Sequence, residues 1–215
     1  MILRFLSLCL FVSTLFGCSR DQSGEVSGAS DAVDSVGSDF ELRQEVVSRG
    51  RDAAKALKEN LFNAQLKSTI ESGEAASALP TCHTTALPIT EGTARLFEGV
   101  NLHRTSLKLR NRSNQPDSLD LQVLTTFQAQ HDTGLEVSTE IVEQTENGAR
   151  YYEPIFIKKI CLNCHGSREE MDPDVVKNLA LLYPEDEAYG YKEGDFRGVI
   201  RADIEHRRPL DEGAL

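Results

Sequence analysis

The run Cys161-Leu162-Asn163-Cys164-His165 places two thiols and an imidazole within one short stretch of chain. Two cysteines separated by two residues, with a histidine directly after the second, form the C-x-x-C-H arrangement through which a haem is attached covalently. Each thiol can add to one vinyl group of the porphyrin, and the two intervening residues let both sulfurs reach from a single turn. The histidine then falls under the iron as its proximal ligand. With five Cys and five His in 215 residues, chance supplies about 0.003 copies of this pattern, so it is no accident of composition. Two other chemistries share the C-x-x-C half. A zinc site needs further ligands at matching spacing, and the chain has no second C-x-x-C. A redox disulfide belongs with a thioredoxin-like βαβ unit, which the surrounding pattern does not offer.

The residues alone leave the ligand on the other side of the iron open. Met and His are the usual choices. Met171 lies only six residues past His165, too near the proximal side to wrap round the ring. His83, His103, His131 and His206 remain as alternatives, although His131 and His206 sit in no pattern and read as surface residues. Cys82 is left over once the other cysteines are assigned, and an unpaired thiol is a liability in an oxidising compartment. Cys82 and His83 are neighbours, and adjacent helical side chains diverge by about 100°, so only one can face an iron.

The N-terminus supplies the compartment. Arg4 followed by an apolar run from Phe5 to Phe16 reads as a signal peptide, too short to span a bilayer, which needs ~20 residues. Leu15-Phe16-Gly17-Cys18 resembles a bacterial lipoprotein cleavage box, which makes residues 1–17 the leader and Cys18 the lipidated N-terminus. Acyl chains on Cys18 would anchor the protein to a bacterial membrane, facing the periplasm. Residues 18–39, rich in Ser, Gly, Asp and Ala, read as a flexible tether. The haem domain then covers 40–215. Its balance is acidic, with 23 Lys+Arg against 34 Asp+Glu and a formal net charge of −11. Such a surface repels phosphate backbones and excludes nucleic acid as a partner.

The elements that must position the motif follow from periodicity. From Phe40 to Ser72, Leu42, Val46, Ala53, Leu57, Leu61 and Ala64 share one helical face; a helix packed on the core, or one used for dimerisation, fits this pattern. Residues 74–97 read as a second helical stretch interrupted by Pro80 and Pro88. Arg104 to Arg110 alternates strictly, which predicts a half-buried strand with Arg104, Ser106, Lys108 and Arg110 on one face. Arg104 and Arg110 on that face suit the carboxylates of a haem. Leu119 to Gln130 predicts an amphipathic helix. Residues 135–145 and 149–160 predict two strands joined at Glu146-Asn147-Gly148, the second running into Cys161. A helix over 173–182, a loop bearing Tyr183, Tyr189 and Tyr191 that could wall the haem, and a strand over 196–204 complete the chain. Helices first and antiparallel strands later make an α+β domain with four or five strands.

Several of these segments together resemble a known family. They are Ala75 to Ala86 around Cys82, Arg104-Thr105-Ser106-Leu107-Lys108-Leu109-Arg110-Asn111, Asn114-Gln115-Pro116-Asp117, Cys161-Leu162-Asn163-Cys164-His165-Gly166, and Gly194-Asp195-Phe196-Arg197-Gly198. In this order, over about residues 40–205, the chain resembles exported single-haem c-type domains, first filed as a domain of unknown function and often found ahead of histidine kinases. The resemblance implies a PAS-like fold and His/Cys axial ligation, with Cys82 at the position of the ligating cysteine and His83 the alternative. It points to a redox or ligand sensor that works with a signalling protein. A carrier of electrons between periplasmic or membrane redox partners is the second reading, favoured by the lack of an output domain in the sequence. A haem enzyme such as a peroxidase fits least, because both axial positions would be filled.

Overall fold

The computed structural model describes residues 28–62 and 64–205. The expected leader, Cys18 and His206 lie outside the described residues. In chain order the elements are α1 (Gly28–Leu61), α2 (Ala64–Glu71), α3 (Ala75–Ala94), β1 (Val100–Thr105), α4 (Ser118–Asp132), β2 (Ile141–Thr145), β3 (Gly148–Phe156), α5 (Leu162–His165), α6 (Pro173–Leu182) and β4 (Phe196–Glu205). The four strands form one antiparallel sheet in the order β1-β4-β3-β2. This is the α+β, PAS-like arrangement with N-terminal helices that the sequence predicts, at the lower of the two strand counts. The compact unit begins at Ser38.

The sheet separates two apolar layers because alternate residues face opposite sides. One row runs Leu102, Ala202, Tyr151, Val142 across the four strands. Against that face lie Val46, Val47, Ala53, Ala54 and Leu57 of α1, all buried. The neighbouring row is His103, Arg201, Tyr152, Ile141. Val123, Leu124 and Phe127 of α4 cover that side together with Phe196 and Val199. The fully buried Asp120 of α4 accepts hydrogen bonds from Tyr152 Oη at 2.9 Å and from Arg201 at 2.7 Å. A buried carboxylate persists only when satisfied in this way. Asp120 also closes a capping box with Asp117 at the start of α4. A third cluster, Ala75, Leu79, Met171, Val175 and Leu179, joins α3 to α6.

Three expectations need correction. The first helical stretch is two helices, and α1 starts at Gly28 rather than near Phe40. Ser, Gly and Asp, poor helix formers, fill its early turns, so composition there reads as a tether. Nor is the second stretch interrupted, for Pro80 and Pro88 lie inside a continuous α3. Pro80 has no N–H for the Ala76 carbonyl four residues back; Asn178 Nδ2 of α6 donates to that carbonyl instead, at 3.1 Å. A tertiary contact thus takes over a hydrogen bond that the helix lacks. The alternating run Arg104 to Arg110 is a strand only up to Thr105. Ser106 is buried and Leu107 is 42% exposed, the reverse of the predicted faces. There Ser106 Oγ donates to Lys108 O at 2.8 Å, and the chain turns out of the sheet.

The hairpin between β2 and β3 turns at Glu146-Asn147, and Gly148 is already the first paired residue of β3. A Cβ on Gly148 would lie 2.0 Å from Ile204 O, so its glycine is required by close approach to β4. Gly50 plays the equivalent part in α1. A Cβ there would lie 2.3 Å from Tyr151 Cγ, and Tyr151 is fully buried. Replacing Gly50 by Ala is therefore expected to destabilise the fold by about 1–3 kcal/mol through overpacking, even though Ala is the better helix former by ~1 kcal/mol. A urea denaturation midpoint lowered at unchanged slope is the result that checks it.

Candidate functional site

The C-x-x-C-H segment follows β3 through a single turn of 3₁₀ helix and forms α5, a helix of only four residues ending at His165. Lys158 N donates to Cys161 Sγ at 3.4 Å and Asn163 Nδ2 to Ile160 O at 2.9 Å, which fixes the turn that presents the two thiols. Gly166 N donates to Leu162 O at 3.0 Å. A Cβ on Gly166 would lie 2.8 Å from that same oxygen, so the residue after the histidine must be glycine. The three described cysteines, Cys82, Cys161 and Cys164, are all unpaired and half-buried.

A distant loop holds the motif. Tyr191 N donates to His165 O at 3.0 Å, and Gly190 N to Gly166 O at 2.7 Å. His165 Nδ1 stands 2.7 Å from Ala188 O. A carbonyl can only accept, so Nδ1 carries the proton and Nε2 keeps its lone pair free, the arrangement in which a backbone acceptor would orient a ligating imidazole. Burial drives the His165 pKa well below its ordinary value, and the positive charges of Arg110 and Arg197 push it the same way. The ring is accordingly a neutral imidazole. Tyr191 meets it edge-on at 6.2 Å between centroids.

Arg110 ties the loop to the motif. Its Nε donates to Asp186 Oδ1 at 3.2 Å, and one terminal nitrogen donates to Cys164 O at 2.5 Å and Ala188 O at 3.1 Å. Asp186, whose side chain is 1% exposed, also accepts from Ala188 N at 2.9 Å. The expected carboxylate-binding role of Arg110 thus meets a side chain already occupied by this chain's own groups. Arg104 differs. Its Nε is buried without a partner, and among the described residues its side chain makes one hydrogen bond, a long one to Ala86 O of α3 at 3.5 Å.

On α3, Ala75, Leu79, Cys82 and Ala86 follow one another at helical spacing. Cys82 lies where the charges of Arg110 and Arg104 act on its thiol, and its own charge acts on Cys164. Burial raises the Cys82 pKa while both guanidiniums work against that rise. His83 is exposed and packs edge-on against Tyr183 at 4.8 Å. So α3 turns Cys82, and not its neighbour, toward Cys164 and the arginines. Of the remaining candidates, Met171 is buried in the apolar cluster between α3 and α6. His103 lies in the sheet row beside Arg201, its pKa lowered by burial first and then by Arg201. His131 pairs with Asp132. Among the tyrosines, Tyr183 and Tyr191 border the site, while Tyr189 is 38% exposed and carries Arg168 over its ring at 4.0 Å.

Two residues that shape the site escaped the sequence reading. Asp186 carries no motif. Arg197 lies in the Gly-Asp-Phe-Arg-Gly segment, but nothing there told its direction. Arg104, Arg197, His165 and Cys82 each keep some solvent access, yet desolvation is the largest influence on all four. Electrostatic coupling links Cys82 to Arg104, Arg104 to Arg197 and Arg197 to His165, so the four form one half-buried group around the motif. A separate open groove of about 630 Å³ flanks the motif's outer side, between Ile70, Ile160, Leu162 and Met171. Among the described residues no cluster of three or more His, Cys, Asp or Glu suits a bare metal ion. The donor set of two thiols, one neutral imidazole, a third thiol and a guanidinium with an orphaned buried Nε fits a haem.

Fold and site together define an α+β domain whose C-x-x-C-H turn lies against a group of half-buried arginines. The family model Tll0287-like matches residues 33–204, and the chain belongs to that family. Among solved structures it is similar to the cyanobacterial heme-protein Tll0287, at 25% identity and a TM-score of 0.54, over 79% of this chain and 98% of that one. No curated protein matches the chain.

The Arg110–Asp186 pair is buried, so removing one partner strands the other charge. Asp186→Ala is expected to cost about 3–5 kcal/mol. Glu185→Ala removes an exposed pair with Arg112 and should change stability by less than about 0.5 kcal/mol. Chemical denaturation of the two variants side by side distinguishes a held loop from a merely decorated surface.

Proposed function

We propose that this chain is a periplasmic, lipid-anchored mono-haem c-type cytochrome that acts as a redox or ligand sensor. In this reading Cys161 and Cys164 attach the haem, and His165 and Cys82 are its axial ligands. One observation carries the proposal: His165 is held as a neutral imidazole by Ala188 O, while the Cys82 thiol lies within electrostatic reach of Cys164, with Arg110 acting on all three. The structural match to a protein described as a heme-protein supports it. A haem bound here supplies a one-electron couple whose potential depends on its axial ligands.

The residues of the chain set the terms of that chemistry. Ala188 O fixes the tautomer and the direction of His165. Arg110 and Arg104 favour the thiolate of Cys82 against the larger cost of burying it, which leaves its pKa raised in the absence of a metal. Because Cys82 belongs to α3, and α3 packs on α6 through the Leu79–Met171–Val175 cluster, a change of its bonding state would be felt in helix packing. That coupling is what a sensor passing a signal to a partner protein requires. A plain electron carrier remains the second reading. It is favoured by Tyr191, edge-on to His165 and followed outward by the exposed Tyr189.

The test is an electronic and EPR spectrum of the mature ferric protein, beside Cys82→Ala and His83→Ala. A low-spin thiolate-type signal that is lost only in Cys82→Ala is expected. The same spectrum in the wild type and Cys82→Ala contradicts the assignment. Carbon monoxide added to the reduced protein separates the two roles. Uptake, through release of Cys82, belongs to the sensor, and refusal to the carrier.

A further inference from the structure

Three guanidiniums come within electrostatic reach of one another, Arg104 with Arg197 and Arg197 with Arg110. Asp186 is paired with Arg110 and acts on Arg197 without an ion pair. Among the described residues, neither Arg104 nor Arg197 has a carboxylate within ion-pair distance. Arg104 keeps its Nε buried and unbonded, and among the described residues Arg197 donates to Lys108 O, at 3.0 Å, and toward Tyr191. Desolvation weighs on both. In a chain of net charge −11, two desolvated and mutually repelling cations without a paired carboxylate are costly unless an anion is bound between them.

The backbone is built to bring them together. Strand β4 carries a β-bulge against β3: Ile155 pairs with Gly198 and Phe156 with Phe196, which leaves Arg197 as the extra residue. A bulge re-aims the side chain it releases. Phe196 stays in the apolar layer under α4, while Arg197 is set beside His165 and Arg104. Gly198, at φ 152°, would place a Cβ 2.4 Å from Thr105 O. Only glycine lets β4 approach β1 this closely, next to Arg104.

We infer that Arg104 and Arg197 form a dicarboxylate site that binds the two propionates of the haem, and that Arg110 takes no part in it. The inference rests on the haem reading above. It exchanges Arg110, satisfied by Asp186 and two carbonyls, for Arg197, which the sequence left without a role. The two unanswered guanidiniums equal two carboxylates in charge, and each presents the planar fork that carboxylates accept.

The experiment is a double-mutant cycle between protein and porphyrin. In the full-length chain carrying Cys161→Ala and Cys164→Ala, iron protoporphyrin and its dimethyl ester are titrated and their affinities compared. The same comparison is made with Arg104→Gln and Arg197→Gln added. Esterification is expected to weaken binding about tenfold or more in the first background, as befits lost hydrogen bonds to charged groups, and less than about twofold in the second. An equal penalty in both overturns the proposal. In parallel, the midpoint potential is measured on the covalently loaded protein. It should fall in the Arg104→Gln/Arg197→Gln variant, at unchanged haem content, and return toward wild type with Lys at both positions. Potentials that coincide also overturn it. A parent chain that takes up no porphyrin in either form overturns the haem reading, and this one with it.

Discussion

The site depends on one buried ion pair. Arg110 and Asp186 are 76 residues apart in sequence and join three segments that have no local reason to meet. Through Arg110 the chain leaving β1 reaches the carbonyl of Cys164. Through Asp186 the loop after α6 is pinned at Ala188, and Ala188 O in turn orients His165. An ion pair as deeply set as this one gains little over apolar packing, but its loss from one side alone is expensive. Its value is geometric: it holds an imidazole in one tautomer and one direction with no side chain in direct contact with the ring nitrogen.

Around that anchor an acidic protein gathers cations. Arg104 comes from β1, Arg197 from the bulge in β4, and Lys108 from the turn that follows β1, where it bonds Tyr189 O and lies over the Tyr191 ring at 4.5 Å. Arg110, Arg197 and Lys108 work against a proton on His165. Arg110 and Arg104 favour the Cys82 thiolate, against a burial that still leaves its pKa raised. The acidic residues that give the chain its net charge lie elsewhere, as Asp117, Asp120 and Asp203 do in the network with Arg150 and Arg201.

What could be read from the sequence was what is local. The C-x-x-C-H run is contiguous, so its meaning needs no fold. The helix expected over 173–182, the amphipathic helix from Leu119 to Gln130 and the strand expected over 196–204 are α6, α4 and β4. The failures share one cause, dependence on partners far along the chain. Alternation from Arg104 to Arg110 looks like a strand until Arg110 is drawn away to Asp186. Pro80 looks like a helix break until Asn178 takes the carbonyl it frees. Arg197 is released by a bulge, a matter of pairing with β3 that no periodicity within β4 encodes. Ala188 contributes only a backbone oxygen and is invisible at the level of residue type. Cys82 and His83 could not be separated by sequence spacing, because the choice rests on how α3 is rotated against α6.

The proposed covalent attachment of a haem through Cys161 and Cys164, beside His165, is tested most directly by purifying the mature protein from a host that exports it and attaches haem, then denaturing it in acid and extracting with organic solvent. The account predicts that the haem stays with the protein and that mass spectrometry finds it on the peptide spanning residues 161–165. Haem passing into the organic phase, with both thiols of that peptide left unmodified, would contradict it.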